Sequence, residues 1–247
     1  MAALDHPLTI FVFALAIQWM AAVAGDKIRR HVRPFRPGER KDFDILRTGS
    51  LSLLGLLIGF SFAMAVSRYD ARNNAEQAEA NAISAAYLRA DLLPAEQTSQ
   101  VRDLLRKHIA ERIAFYEARG RPGPAGAQDS YRNELWGMVT KVAVAQQTPI
   151  IALVVLSIND VFASQGMTQA AWLNRIPTAA WVLMALIAVC CNLLLGYGEH
   201  RTSALLLILP AIISIPFFLI ADIDNPRGGI IYVSPHNLVA KKLVMQP

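Results

Sequence analysis

Apolar residues in this chain are gathered into blocks. Leu8–Ala24 is apolar except for Thr9 and Gln18, and Leu46–Val66 is broken only by Arg47 at its edge and a few Ser, Thr and Gly. Pro177–Tyr197 and Ser203–Ala221 are two more runs, separated only by GEHRT. Each has about the 20 residues that a helix needs to cross a hydrocarbon core. None carries an Asp, Glu, Lys, Arg or His in its interior. The pattern predicts an all-α membrane protein with four transmembrane helices, at 1–25, 46–67, 177–197 and 203–221. A helical extramembrane domain, 68–176, lies between spans two and three, and a tail, 222–247, follows span four. The first block has a second reading, since Leu8–Ile17 followed by AAVAG resembles a signal-peptide core with its cleavage site. Residues 1–7 hold no Lys or Arg and do hold Asp5, which favours an uncleaved anchor.

The extramembrane stretch reads as helices. After span two, Ala71, Ala75, Ala78, Ala82 and Ala85 recur at 4-3-4-3 spacing, a methyl-lined face that permits close helix approach. Arg72 and Glu76 are four apart and can pair on the polar face. No Gly or Pro separates this stretch from span two, so one long helix is predicted as far as Pro94. A second helix follows Pro94 with Val101, Leu104, Leu105, His108, Ile109, Ile113 and Tyr116 on one side. It ends before the turn-rich linker 120–127. A third starts with Asp129 or Ser130 as its cap and buries Tyr131, Leu135, Trp136 and Val139. IIALVVLSI after Pro149 is too short to span a membrane and reads as a buried core helix. GGIIYVSPHN reads as one short strand.

Composition sharpens the class. Hydrophobic residues are 54% of the chain and charged ones 17%, against about 25% charged in soluble domains. The net charge of +5 is concentrated: residues 26–45, a basic juxtamembrane loop, hold seven Lys/Arg and four Asp/Glu. Such a loop can bind anionic lipid headgroups or act as a topology signal. The positive-inside rule places it in the cytoplasm and the large domain outside. The extramembrane stretch 67–175 is nearly neutral, with twelve Lys/Arg and eleven Asp/Glu, so nucleic acid is not a partner. Cys190 and Cys191 are adjacent in an apolar run and form neither a disulfide framework nor a zinc site.

Catalytic and cofactor motifs are missing. There is no nucleotide-binding glycine loop, HExxH, CxxC pair or nucleophile elbow, and no cofactor is implied. His6, His31, His108, His200 and His236 are scattered; His108, on an apolar helix face, reads as a core histidine. Span two carries Ser52, Leu56, Phe60 and Ala63 at 4-4-3 spacing. Repeated around an oligomer axis, such a stripe makes a hydrophobic constriction that gates by dewetting, although ordinary helix packing uses the same pattern. Gly55 and Gly59 beside it form GxxxG, which lets neighbouring helices pack tightly. Asp222, Asp224 and Asn225 end span four. They offer oxygen ligands to a divalent cation or simply stop the helix at Pro226 and Gly228. Asn192, the strongly polar residue of span three, is expected to hydrogen-bond across helices.

The segment LLGLLIGFSFAMAVSRYDARNNAEQAEANAISAAYLRADLLP resembles the bestrophin-like membrane family of unassigned function. It is more distantly similar to the second span and following helix of bestrophin anion channels. Gly59–Phe60, Arg68–Tyr69, Glu79–Ala80, Ile83 and Arg89 carry the likeness. So do Asn159–Asp160, Arg175, Pro177, Trp181, Gly196–Tyr197, the D-x-D-x-P-x-G run from Asp222 to Gly228, and Val233. The resemblance implies a homo-oligomer, a pentamer in true bestrophins, with span two around an axial pore and lipids and small inorganic anions as partners. Leu56 and Phe60 would form the neck, Ser52 would lie nearer the mouth, and Arg68 would attract anions just past the neck. SLLG stands here where bestrophins have a neck proline, and their aromatic run after the arginine is reduced to Tyr69. Bestrophins also place the large domain in the cytosol, opposite to the charge rule. The reading is an oligomeric channel for small anions such as chloride in a cell membrane, that of a bacterial inner membrane. The alternatives are a non-conducting scaffold or sensor that binds a partner through its extramembrane helices, and a membrane enzyme built on Asp222, Asp224 and His236.

Overall fold

The computed structural model describes residues 7–32, 38–120, 127–198 and 205–245. His6, His200 and the linker 121–126 lie outside the described residues, as do part of the basic loop and the side chains of Asp129 and Ser130. Among the described residues the chain forms eight α-helices and no strand. They are α1 (Pro7–His31), α2 (Glu39–Arg89), α3 (Ala95–Glu117), α4 (Ala127–Ala145), α5 (Pro149–Leu173), α6 (Thr178–Gly198), α7 (Leu205–Asp224) and α8 (His236–Val244). Three helical stretches, Pro7–His31, Glu39–Leu92 and Pro149–Gly198, are long and apolar enough to cross a membrane. The fourth expected segment folds as α7, with Pro210 and Pro216 inside the helix.

The chain divides into two compact units: Met1–Ser67 with Arg175–Ile231, and Arg68–Asn174 with Tyr232–Pro247. In the first, contacts between helices set their directions. Asn192 Nδ2 donates to Gln18 Oε1 at 3.1 Å, as expected of a polar side chain within an apolar helix. Further along both helices, a Cβ added at Gly196 would overlap the Ala22 carbonyl, and one at Gly25 would overlap the Leu193 carbonyl. Contacts advance together on α1 and α6, so these helices are parallel and their backbones touch through glycine. Phe11 meets Phe218 at 6.0 Å, whereas Ala22 clusters with Leu206, so α7 runs the opposite way. Phe43, near the start of α2, meets Tyr197 at the end of α6, 5.5 Å between rings.

The second unit is a helical domain around a core of Ile83, Leu105, Ile109, Tyr116, Val139, Val154, Ile158 and Leu238, among others. The expected long helix is there: α2 runs 51 residues and ends in a 3-10 turn, Ala90–Leu92, before Pro94, which cannot continue it. Thr148 caps α5 by accepting from the Ile151 amide, and Pro149 takes the first helical position. Several expectations are corrected. IIALVVLSI is only the first part of α5, because the small polar residues that follow remain compatible with a helix. Trp136 is 39% exposed and packs at the edge of the domain against Phe162. The strand expected in GGIIYVSPHN does not form: no other strand is there to pair with it among the described residues, and the Ile230 and Ile231 amides donate to Asp222 instead.

The largest correction concerns the faces of α2. Arg72, Glu76 and Glu79 are buried, at 1%, 0% and 0% exposure, while Ala71 and Ala78 are exposed. The face read as polar and solvated is the face this domain buries, whereas the alanine seam is exposed at Ala71 and Ala78 and half-buried at Ala75, Ala82 and Ala85.

Candidate functional site

At 100° per residue the buried positions of α2 fall on one line. In the first unit they are Leu54, Ser61 and Ala65; in the second, Arg72, Glu76, Glu79, Ile83 and Ala90. Ser52, Leu56 and Phe60 occupy the opposite side. All three are exposed in the protomer, Leu56 at 55% and Phe60 at 62%. The same sector continues through Ala63, Ser67, Asp70, Asn74, Ala78 and Asn81, each of them exposed. In the first unit Leu53, Phe62 and Met64 are exposed as well, so Leu54, Ser61 and Ala65 are the covered line of that stretch.

The residues singled out from the sequence are placed as follows. Ser52 Oγ donates back to the Thr48 carbonyl at 3.0 Å. A Cβ at Gly55 or Gly59 would meet nothing within 4 Å, so the GxxxG pair is uncovered in the protomer, unlike Gly25 and Gly196. Arg68 lies about 120° round the helix from the centre of the Ser52–Leu56–Phe60 sector. Its Nη1 donates to Asn174 Oδ1 at the end of α5.

On the packed face the second unit holds a buried polar network. Glu79 accepts from Arg112 Nε and Nη2 on α3, from Thr168 Oγ1 on α5 at 3.0 Å, and from Tyr116 Oη at 3.5 Å. Arg112 is 1% exposed and also lies over the Phe115 ring, 4.3 Å from its centroid. A charge taken from water survives only with this density of partners. Glu76, one turn earlier, accepts from Asn237 Nδ2 at 2.7 Å and from the Leu238 amide at 2.9 Å. It therefore satisfies the first turn of α8, whose amides have no partner inside the helix. After α8 the Met245 carbonyl accepts from Arg106 Nε at 2.8 Å and from Tyr87 Oη at 3.1 Å. Burial, then the Arg112 charge, lowers the His108 pKa to about 4. Burial, then the Glu79 carboxylate, raises that of Tyr116 above its ordinary range.

Comparison with known proteins places the chain. The bestrophin-like domain pattern matches residues 50–238, about three quarters of its length. The chain belongs to the bestrophin-like family. No curated protein matches it. Among solved structures it is similar to a bacterial bestrophin homologue from Klebsiella pneumoniae, at 13% identity and TM-score 0.61, over 96% of this chain and 95% of that one. A tryptophan-to-alanine variant of that homologue matches at TM-score 0.63, again 13% identical, over 96% and 94%. A tyrosine-to-alanine variant matches at 0.60 and 13%, over 95% and 96%. At that identity the likeness establishes the fold alone. The family and the apolar helices together make this a membrane protein.

In this bestrophin-like chain the D-x-D-x-P-x-G run is a backbone clamp. Asp222, 1% exposed, accepts from the Ile230 and Ile231 amides at 2.7 and 2.8 Å. Asp224 accepts from the Ile176 amide at 3.0 Å, just before the start of α6. Asn225 Oδ1 accepts from the Arg227 amide at 3.2 Å. A Cβ at Gly229 would overlap the Asp222 carbonyl, which is why glycine stands there. Among the described residues no three His, Cys, Asp or Glu side chains group as metal ligands. Glu76, Glu79, Arg112 and Thr168 were not foreseen as a group. The available signal was the 4-3-4 spacing of Arg72, Glu76, Glu79 and Ile83, a helical stripe as regular as the alanines beside it.

Proposed function

We propose that this protein is an oligomeric ion channel in which copies of α2 surround an axial pore and α1, α2, α6 and α7 cross the membrane. Ser52, Leu56 and Phe60 form its hydrophobic neck. One observation carries this reading: a helix apolar enough to span a bilayer leaves the whole Ser52–Leu56–Phe60 side uncovered in the protomer. That side carries no charge from Ser52 to Ser67, as a gate that closes by dewetting requires. Gly55 and Gly59 border the stripe and are open to a neighbouring helix, so subunit packing beside the pore is the role that fits them. The directions of α1, α6 and α7 suit a chain that passes back and forth. The similarity to bestrophin homologues makes a ring of identical subunits, five in true bestrophins, the expected assembly, and a bacterial inner membrane its setting.

Small inorganic ions are the permeant class. The case for chloride rests on the family likeness, because Arg68 is held by Asn174 outside the Phe60 sector. In reconstituted liposomes the protein is expected to pass ions, and Phe60→Ala to raise the flux several-fold by widening and wetting the neck. A protein that is monomeric in mild detergent and silent in liposomes, with Phe60→Ala equally silent, overturns the channel. The scaffold reading would then stand.

A further inference from the structure

Within the first unit, the ends of α1 and α6 and the start of α2 converge where apolar sequence gives way to charge. The Arg29 guanidinium lies 5.6 Å from the centre of the Tyr197 ring, and the Phe43 ring lies 5.5 Å from the same ring. Residues 26–32 and 38–47, the described parts of this end, hold six Lys/Arg against four Asp/Glu. Asp26 pairs with Arg30 at 2.6 Å and Asp44 with Arg47 at 3.3 Å. Glu39 and Arg40 also have partners, and Asp42 is exposed. Lys27 and Lys41 are exposed and form no ion pair among the described residues. Large apolar side chains stand exposed beside them: Ile28 and Val32 on α1, Ile45 and Leu46 on α2. The apolar runs end at Ala24 and begin at Leu46, about 5 and 8 Å along the helices from the two lysines.

A surface that interleaves isoleucine with lysine suits neither bulk water nor hydrocarbon. It suits the boundary between them, where apolar side chains enter the acyl region and a lysine stem carries its charge out to the phosphates. Tyr197 is the kind of aromatic residue that collects at that depth. We propose that this end of the first unit binds the phosphodiester headgroup of an anionic phospholipid of the phosphatidylglycerol class. Lys27 and Lys41 are the residues that select it over a zwitterionic lipid. The inference rests on α1 and α2 crossing the membrane, and not on the pore. A lysine meets phosphate as a compact point charge with three donors. Phosphatidylcholine presents the same phosphodiester beside a fixed cation, which the two lysines repel. Each basic residue at this depth strengthens binding to an anionic surface about fivefold.

The test equilibrates the full-length protein in micelles holding equal amounts of dioleoylphosphatidylglycerol and dioleoylphosphatidylcholine. The lipid retained per subunit is measured after gel filtration and extraction. The wild type should hold phosphatidylglycerol in clear excess at about 0.1 M salt. That excess should collapse at about 1 M, where the screening length falls from about 10 Å to about 3 Å. Lys27→Gln and Lys41→Gln should each lower the ratio of the two lipids about fivefold, and the double variant should bring it near unity. Lys27→Arg and Lys41→Arg should keep it, and Lys141→Gln, at an exposed position on α4, should not change it. Both lysines are exposed on helices, so the variants should elute with the wild type. Inorganic phosphate replacing chloride at equal ionic strength should leave the lipid in place; displacement would assign the site to free phosphate and overturn the proposal. Equal retention of the two lipids by the wild type, or an unchanged ratio in the double variant, also overturns it. Neither result touches the channel, which is read by flux through Phe60→Ala. Retention of neither lipid would remove the membrane-crossing reading of α1 and α2 as well.

Discussion

The two units of this protein bind their helices by opposite means. In the unit that holds α1, α6 and α7, Gly25 and Gly196 let two backbones touch, and one amide pair, Gln18 with Asn192, is buried at the same seam. In the other unit an apolar core surrounds the Glu79–Arg112 pair and the Glu76 carboxylate, which accepts from the first turn of α8. Where apolar helices lie in lipid they have no reason to leave it, so close packing through small residues has to supply the attraction. Where a core forms in water, the hydrophobic effect builds it, and such a core can also hold ions that fix which helices meet. α2 takes part in both schemes, and its packed face changes from Leu54, Ser61 and Ala65 to Arg72, Glu76 and Glu79 where the units meet in sequence.

The contrast can be broken by mutation. The largest effect is expected at the ion pair. Arg112→Ala leaves Glu79 buried without its cation and should cost about 3–5 kcal/mol, read by denaturation of the detergent-solubilised protein. Glu79→Ala should cost about as much. The double variant should cost clearly less than their sum, because residues in one network couple; strict additivity would mean the pair is not a unit. Glycine comes next. Gly196→Val drives methyl groups into the Ala22 backbone and should destabilise the first unit by about 1–3 kcal/mol or more. Gly59→Ala, at an open position, should leave the protomer as stable or up to about 1 kcal/mol more stable. Loss of the oligomer by Gly59→Ala with no loss of protomer stability would show that a neighbouring subunit covers that face. Equal damage from both variants would erase the contrast.

The smallest effect is pH-dependent. His108 titrates near 4 in the fold and near 6.5 when unfolded. Between those values the unfolded chain binds a proton that the native one does not, so stability falls as pH drops from about 6.5 to about 4 and levels off below. The slope amounts to at most about 3 kcal/mol across that window. His108→Gln should flatten it, as measured by thermal denaturation against pH.

Much of the fold is legible in the chain because hydropathy and breakers act locally. The four apolar blocks, the run of α2 up to Pro94, the core stripe of α3 and the bond of Asn192 to another helix all follow from spacing and residue type. Partner-dependent features were not legible. Nothing local separates the alanine seam of α2 from its Arg72–Glu76–Glu79 stripe, since both recur at helical spacing. The choice is made by Arg112, Thr168 and Asn237, which lie up to about 160 residues further along. Gly196 was legible as a family landmark but not as a contact, because its neighbour Ala22 is remote in sequence. At Ser52, Leu56 and Phe60 the stripe itself is read from sequence, and its exposure in the protomer is the structure's addition.

The hold on α8 can be restated as a thermodynamic linkage. Glu76 belongs to α2 and caps α8, so docking α8 and seating that part of α2 share one free energy. A segment that bound α8 and drew it off would leave a carboxylate buried without its donors, a cost that would appear as strain in α2. By reciprocity, whatever shifts Glu76 must change the affinity of the domain for α8 by the same factor.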